Sequence, residues 1–251
     1  ISKPEADAAY RRLHPTIDLA TAVQGADFVV ESVLEILTLK KEIFGKLDKL
    51  CPPAVIIATN TSGLRVTDIT AGLTHPERVL ATHYFQPAHF IPLVEVCAGE
   101  KTDVKFIQKA VKILQGMHKK PVVMKVEINA FIGNRIQGAI GRVCHELVDS
   151  GAATPEMIDD VITYGFGRRM TYTGYFKRID LIGLDFIYTA STGGGGKAWP
   201  LLAEKYQRGE LGMKTGKGFY TWTDKSSKEL HRLQNTELIR LMKKDIESGA
   251  V

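Results

Sequence analysis

Residues 26–58 read ADFVVESVLEILTLKKEIFGKLDKLCPPAVIIA, and the order of the patterns within them decides the fold. Residues 26–30 form a short apolar run. Ile36, Leu39, Ile43, Leu47 and Leu50 then recur at helical spacing, which predicts a helix with one buried face, and residues 55–58 form a second apolar run. Working outward, residues 79–84 and 93–96 are two further apolar runs, and Thr102 can cap a helix whose stripe includes Val104, Ile107, Ala110, Val111 and Leu114. Residues 121–124 return to strand. Strands that alternate with helices, are rich in Val and Ile and lack strict polar alternation indicate a parallel sheet buried on both faces.

After about residue 127 the pattern changes. Residues 130–149 read as one long helix, and Thr154 with Pro155 forms a cap followed by proline at the first helical position, opening a helix that stops at Gly165. Further helical patterns occupy residues 179–189, 197–208 and about 228–248. The expected architecture is α/β: a partial doubly wound, Rossmann-type parallel sheet over residues 1–127, then an all-helical C-terminal domain over residues 128–251.

Composition narrows the function classes. The chain has 251 residues, 44% of them apolar and 24% charged, which is ordinary for a globular enzyme of one or two domains. The 33 basic residues are spread among 28 acids, so the net charge of +5 suits a small anionic ligand and argues against nucleic acid. Three widely separated cysteines, Cys51, Cys97 and Cys144, make no disulfide framework and point to a reducing, cytoplasmic setting. No apolar run approaches the length of a membrane span. Seven histidines show no zinc-type spacing, so no metal is expected. Gly193 to Gly196 before Lys197 resembles a phosphate loop, but Ala198 follows where Ser or Thr is needed, and a flexible loop is expected instead.

The chemistry concentrates in residues 59–96. These include Thr-Asn-Thr-Ser-Gly-Leu at 59–64, His-Tyr-Phe-Gln-Pro at 83–87 and Pro-Leu-Val-Glu-Val at 92–96. Glu95, on the strand after that of His83, can orient the imidazole and stabilise its charged form, the wiring of a general base. Ser62, in the same span, is a further candidate site residue, or caps a helix near Val66. No G-x-G-x-x-G occurs before Ala26. A doubly wound dinucleotide domain places that turn after its first strand, with an acid about 20 residues on, so both are expected upstream of Ile1.

As a set, these motifs resemble the L-3-hydroxyacyl-CoA dehydrogenase family. The matching pieces are Asn60-Thr61-Ser62, His83-Tyr84-Phe85, Leu93-Val94-Glu95-Val96, Phe131-Ile132-Gly133-Asn134-Arg135 and Lys214-Thr215-Gly216-Lys217-Gly218-Phe219-Tyr220, in the family's order. The resemblance implies His83 as the base that takes the 3-hydroxyl proton, Glu95 as its acid partner, and Ser62 and Asn134 as catalytic donors that also bind substrate. It implies Glu35, Lys40, Ser62, Gln86 and Lys214 at the cofactor, which it makes NAD. It further implies a short (S)-3-hydroxyacyl-CoA as substrate and a homodimer built through the helical domain. Gulonate and carnitine dehydrogenases share these motifs, so a free hydroxy acid is the alternative substrate. A non-catalytic, crystallin-like paralogue is the alternative from a different class. The chain departs from the family pattern at Gln86, where Asn is usual, at Asn129-Ala130, where Pro-Gly is usual, and across residues 168–179.

Overall fold

The computed structural model describes residues 2–250, which form two compact units, Ile1–Arg142 and Val143–Val251. In the first, helices α1 (Lys3–Tyr10) and α2 (Leu19–Val23) precede strand β1 (Phe28–Glu31), helix α3 (Leu37–Leu50) and strand β2 (Ile56–Thr59). The short helix α4 (Val66–Ile69) leads to β3 (Val79–Tyr84), β4 (Leu93–Ala98), α5 (Val104–Gly116), β5 (Lys120–Val123) and the first part of the long helix α6 (Ile132–Asp149).

The five strands lie side by side in chain order. β1, β2 and β3 are mutually parallel and β5 is parallel to β4, but β3 and β4 run antiparallel. Residues 85–92 are too few for the crossover that a parallel pair requires, so the chain turns straight back. Both faces of the sheet are covered. Ile57, Val79 and Ala81 pack with Phe44 and Leu47 on one side, while Ile56, Ala58, Leu80 and Val96 pack with Phe106, Ala110 and Leu114 on the other. Neighbours in sequence thus point to opposite layers, as a pleated strand demands.

Two local expectations change. Helix α3 buries Lys40, Phe44, Leu47 and Asp48, while Ile36 and Leu50 stay exposed. The cap of α5 is Asp103, whose carboxylate accepts from the Lys105 N–H. The Thr102 hydroxyl is committed elsewhere: it accepts from the Gly99 N–H and donates to the Val79 carbonyl, tying the helix entrance to the sheet.

In the second unit, α7 (Pro155–Asp160) is capped by Thr154, with proline at its start. A π-helical turn, Val161–Phe166, follows and breaks at Gly165, before α8 (Gly167–Ile182), α9 (Leu184–Thr192), α10 (Pro200–Gln207) and α11 (Asp224–Ser248). The helix expected over residues 179–189 is therefore two helices. They meet at Gly183, whose φ of 108° is a conformation that side-chain-bearing residues rarely adopt. Asp180 is fully buried and accepts from the backbone N–H groups of Phe219 and Tyr220, both at 2.9 Å, and from the Trp222 indole at 2.8 Å. That carboxylate pins the glycine-rich segment around Gly218. Among the described residues, no helix is long and apolar enough to cross a membrane.

The first unit contains a buried cation that the apolar pattern does not announce. Arg78 is fully buried and donates to the Asp48 carboxylate at 2.9 Å and to the Asp48 and Cys51 carbonyls at 2.8 Å, joining the end of α3 to the start of β3. Burial by itself would raise the Asp48 pKa. The Arg78 guanidinium and the Thr74 and His75 N–H groups outweigh burial and hold it below the ordinary carboxylate value. A depressed carboxylate contributes stability above its unfolded pKa and loses it as pH falls through the folded value. Arg78→Leu, which strands Asp48, should therefore lower the unfolding free energy by about 3–5 kcal/mol in urea titrations at neutral pH. Asp48→Asn should weaken the loss of stability seen as pH falls below about 4.

Candidate active site

The antiparallel register of β3 and β4 sets His83 directly opposite Glu95. Their side chains meet, with His83 Nδ1 2.9 Å from Glu95 Oε2, and both residues are buried, at 5% and 2% exposure. A carboxylate on Nδ1 holds the proton there and leaves Nε2 as the basic nitrogen. The other carboxylate oxygen, Oε1, accepts the Gly133 N–H at 2.9 Å, so Glu95 also fastens the start of α6. Two rings pack against the imidazole: Phe131 stacks on it at 5.1 Å with planes 16° apart, and Phe85 is tilted against it at 4.8 Å.

The entrance to α6 is tight. Ala130 and Phe131 adopt φ values of 60° and 39°, which turn the chain so that the Phe131 ring reaches the imidazole. Side-chain-bearing residues adopt such values only at some cost in strain, and glycine is usual at the first position in the resembling family. Gly133 is required by packing, because a Cβ there would run into the Phe85 ring. Gly138 and Gly141, further along the same helix, meet no such restriction.

Ser62 and Asn134 come together as the sequence motifs suggest. Asn134 Nδ2 donates to the Ser62 carbonyl at 2.9 Å, and both residues line a cavity of about 460 Å³ with His83 and Gln86. Asn60 and Gln137 line it too. Ser62 does not cap α4: the residue before that helix is Arg65, which makes no side-chain cap. Glu35 and Lys40 lie beside the cavity but do not line it. Lys40 is fully buried, 2.8 and 3.0 Å from the two Glu31 oxygens and 3.4 Å from Glu35. Glu35 accepts from the Ser62 and Gly63 N–H groups at 2.9 and 3.0 Å and from the Thr61 hydroxyl. Lys214 belongs to the second unit, where its ammonium pairs with Asp185.

The lining sets four neutral amides and the Ser62 hydroxyl beside Tyr84, Phe85 and Ala88 around a single histidine. Such a set can bind hydroxyl, carboxamide or carboxylate oxygens and can move a proton through Nε2. It sits where β2 and β3 end, the edge at which open α/β sheets bind ligands.

Comparison with known proteins shows the family. Residues 1–127 match the family model of the 3-hydroxyacyl-CoA dehydrogenase NAD binding domain. The chain belongs to the 3-hydroxyacyl-CoA dehydrogenase family. Residues 131–222 match the C-terminal domain model of the same family. Among individual relatives, L-carnitine dehydrogenase of Oceanobacillus iheyensis is 34% identical over 226 residues, covering 88% of this chain and 74% of that one. The 5-formyl-3-hydroxy-2-methylpyridine 4-carboxylate 5-dehydrogenase of Mesorhizobium japonicum is 30% identical over 230 residues, covering 89% and 74%. The solved 3-hydroxyacyl-CoA dehydrogenase of Archaeoglobus fulgidus superposes with a TM-score of 0.78 at 28% identity, covering 96% of this chain and 88% of that one.

The protein is thus an oxidoreductase of this family, with NAD as its cofactor. The cavity residues fit one end of that cofactor, since neutral amide and hydroxyl groups match a carboxamide and ribose hydroxyls. Four neighbours escaped the sequence reading. Phe131 stacks on the imidazole with no local signal for it, and the Asn60 side-chain oxygen accepts the Tyr84 N–H at 3.0 Å. Gln137 stands three residues after Asn134 on one helix, a spacing that could have flagged it. Glu31 ends an apolar strand, and nothing local shows that it meets Lys40.

Gly133→Ala should displace the Phe85 ring or the first turn of α6. The expected result is a fall in kcat of about tenfold or more with a loss of roughly 1–3 kcal/mol in stability from overpacking. Steady-state kinetics and urea unfolding check both numbers.

Proposed function

We propose that this protein is an NAD-dependent dehydrogenase that oxidises the 3-hydroxyl of a short, polar 3-hydroxy acid carried as the free carboxylate. The observation that carries this reading is the cavity itself, where the polar side chains of Asn60, Ser62, Gln86, Asn134 and Gln137 join Tyr84, Phe85 and Ala88 around His83 and offer hydrogen bonds to a polar acid. The relatives named for carnitine and for a pyridine carboxylate support a free-acid substrate. A second reading, the 3-hydroxyacyl-CoA thioester, is favoured by the close fold match to the Archaeoglobus fulgidus enzyme.

His83 Nε2 removes the proton of the substrate 3-hydroxyl, and the Glu95 carboxylate on Nδ1 offsets the positive charge that the ring then carries. NAD, when bound, supplies the hydride acceptor. The Ser62 hydroxyl and the Asn134 amide donate to the substrate oxygen, where neutral donors stabilise negative charge without opposing the base. Phe131 and Phe85 cover the imidazole and keep water from its faces. Gln86 borders the cofactor side. In this reading residues 1–127 contribute the cofactor domain and residues 128–251 the substrate and dimer domain. Homodimerisation would cover apolar side chains exposed on α11, such as Ile239, Met242 and Ile246.

The test compares the full-length protein with NAD on (S)-3-hydroxybutyrate, L-carnitine and (S)-3-hydroxybutyryl-CoA. A kcat/KM at least about tenfold higher on a free acid is expected, a difference of about 1.4 kcal/mol in transition-state binding. Turnover of the thioester alone would overturn the free-acid reading. His83→Gln should lower kcat by roughly 10²–10⁴-fold with the fold retained by circular dichroism. Turnover surviving that change would remove His83 as the base.

A further inference from the structure

Glu35 is assigned above to the cofactor side by resemblance, yet its contacts run inward. One oxygen, Oε1, gathers the Ser62 and Gly63 N–H groups at 2.9 and 3.0 Å, the Leu64 N–H at 3.4 Å and the Thr61 hydroxyl. Successive N–H groups converging on one anion form a backbone nest, a concavity that elsewhere holds phosphate. Here the chain fills it with its own carboxylate. The other oxygen, Oε2, lies 3.4 Å from Lys40. Lys40 is in turn held by Glu31, which also accepts from the Thr59 hydroxyl at 2.7 Å and the Val33 N–H at 2.6 Å.

Ser62 is consequently gripped from two sides. Its N–H is taken by Glu35 and its carbonyl by the Asn134 amide at 2.9 Å. Both backbone polar groups are committed, and the hydroxyl is the polar group left for the cavity that Ser62 shares with His83. We propose that Glu35 is a positioning residue, seated in the turn of residues 61–64 as a resident anion that aims the Ser62 hydroxyl at the substrate oxygen. The electrostatics agree. Burial alone would raise the Glu35 pKa, but the Thr61 hydroxyl, the Gly63 N–H, Lys40 and the Ser62 N–H outweigh it and hold the carboxyl below its ordinary value, so it stays charged at neutral pH.

This inference rests on the dehydrogenase reading, and a double-mutant cycle with a second, activity-independent readout tests it. Glu35→Ala should lower kcat by about 10–100-fold, as expected of a small misplacement of a reacting group, with the KM for NAD changed by less than about threefold. In a Ser62→Ala background the same change should cost less than about threefold, because a residue acting through Ser62 has nothing left to aim. Glu35→Gln, which keeps an acceptor oxygen, should retain the fold and most of the turnover. Hydrogen exchange on the peptide spanning residues 61–64 should accelerate by at least about tenfold in Glu35→Ala, since its amides lose their common acceptor.

Equal losses of kcat in both backgrounds would overturn the proposal. So would a raised KM for NAD at unchanged kcat, wild-type turnover in Ser62→Ala, or unchanged exchange at residues 61–64. Should the unaltered protein oxidise no hydroxy acid or thioester, the dehydrogenase reading fails by itself. The exchange measurement then still decides whether Glu35 holds the turn.

Discussion

A carboxylate taken out of water keeps its charge only where both oxygens find donors, and at Glu95 those donors come from different parts of the chain. One oxygen meets His83 Nδ1 across the antiparallel β3–β4 pair, and the other meets the Gly133 N–H at the start of α6. The same buried group therefore orients the His83 imidazole and fixes the helix that brings Asn134 to Ser62. An unpaired carboxylate at this depth would cost several kcal/mol, so the arrangement constrains everything around it. The sharp entrance at Ala130 and Phe131, the glycine at 133 and the ring stacked on the imidazole all follow from bringing that N–H to Glu95.

A second carboxylate repeats the logic at the Ser62 turn. Glu35 closes the turn of residues 61–64 and faces Lys40, which Glu31 neutralises from inside the sheet. Charged groups that look like surface features in the sequence are here internal struts. Lys40 shows this best: on a helix it reads as a solvated lysine, yet it is fully buried because two carboxylates surround it. Arg78 is the structural counterpart on the opposite edge of the fold, where it closes the carbonyl end of α3.

The substrate question turns on the cavity's polarity rather than on the fold. The family contains enzymes named for acyl-CoA, carnitine and pyridine carboxylate substrates, all on related frameworks. Family membership gives an oxidoreductase that uses NAD and leaves the substrate to the lining. That lining combines five neutral polar side chains with Tyr84, Phe85 and Ala88 around one histidine.

Much of this was legible in the residues alone. Periodicity placed the five strands and the helices between them to within a few residues, because burial on both faces imposes continuous apolar runs and one-sided helical stripes. The pairing of His83 with Glu95 was also legible, since their spacing and strand positions match the motif. What only the tertiary structure decided was where polar groups end. The antiparallel turn between β3 and β4, the break at Gly183, the burial of Lys40 and the Gly133 and Ser62 tethers depend on partners distant in the chain. Apolar burial repeats with a local period and can be read from neighbours. A hydrogen bond between residues 38 or 72 positions apart leaves no such period, and it becomes visible only once the sheet has brought the two ends together.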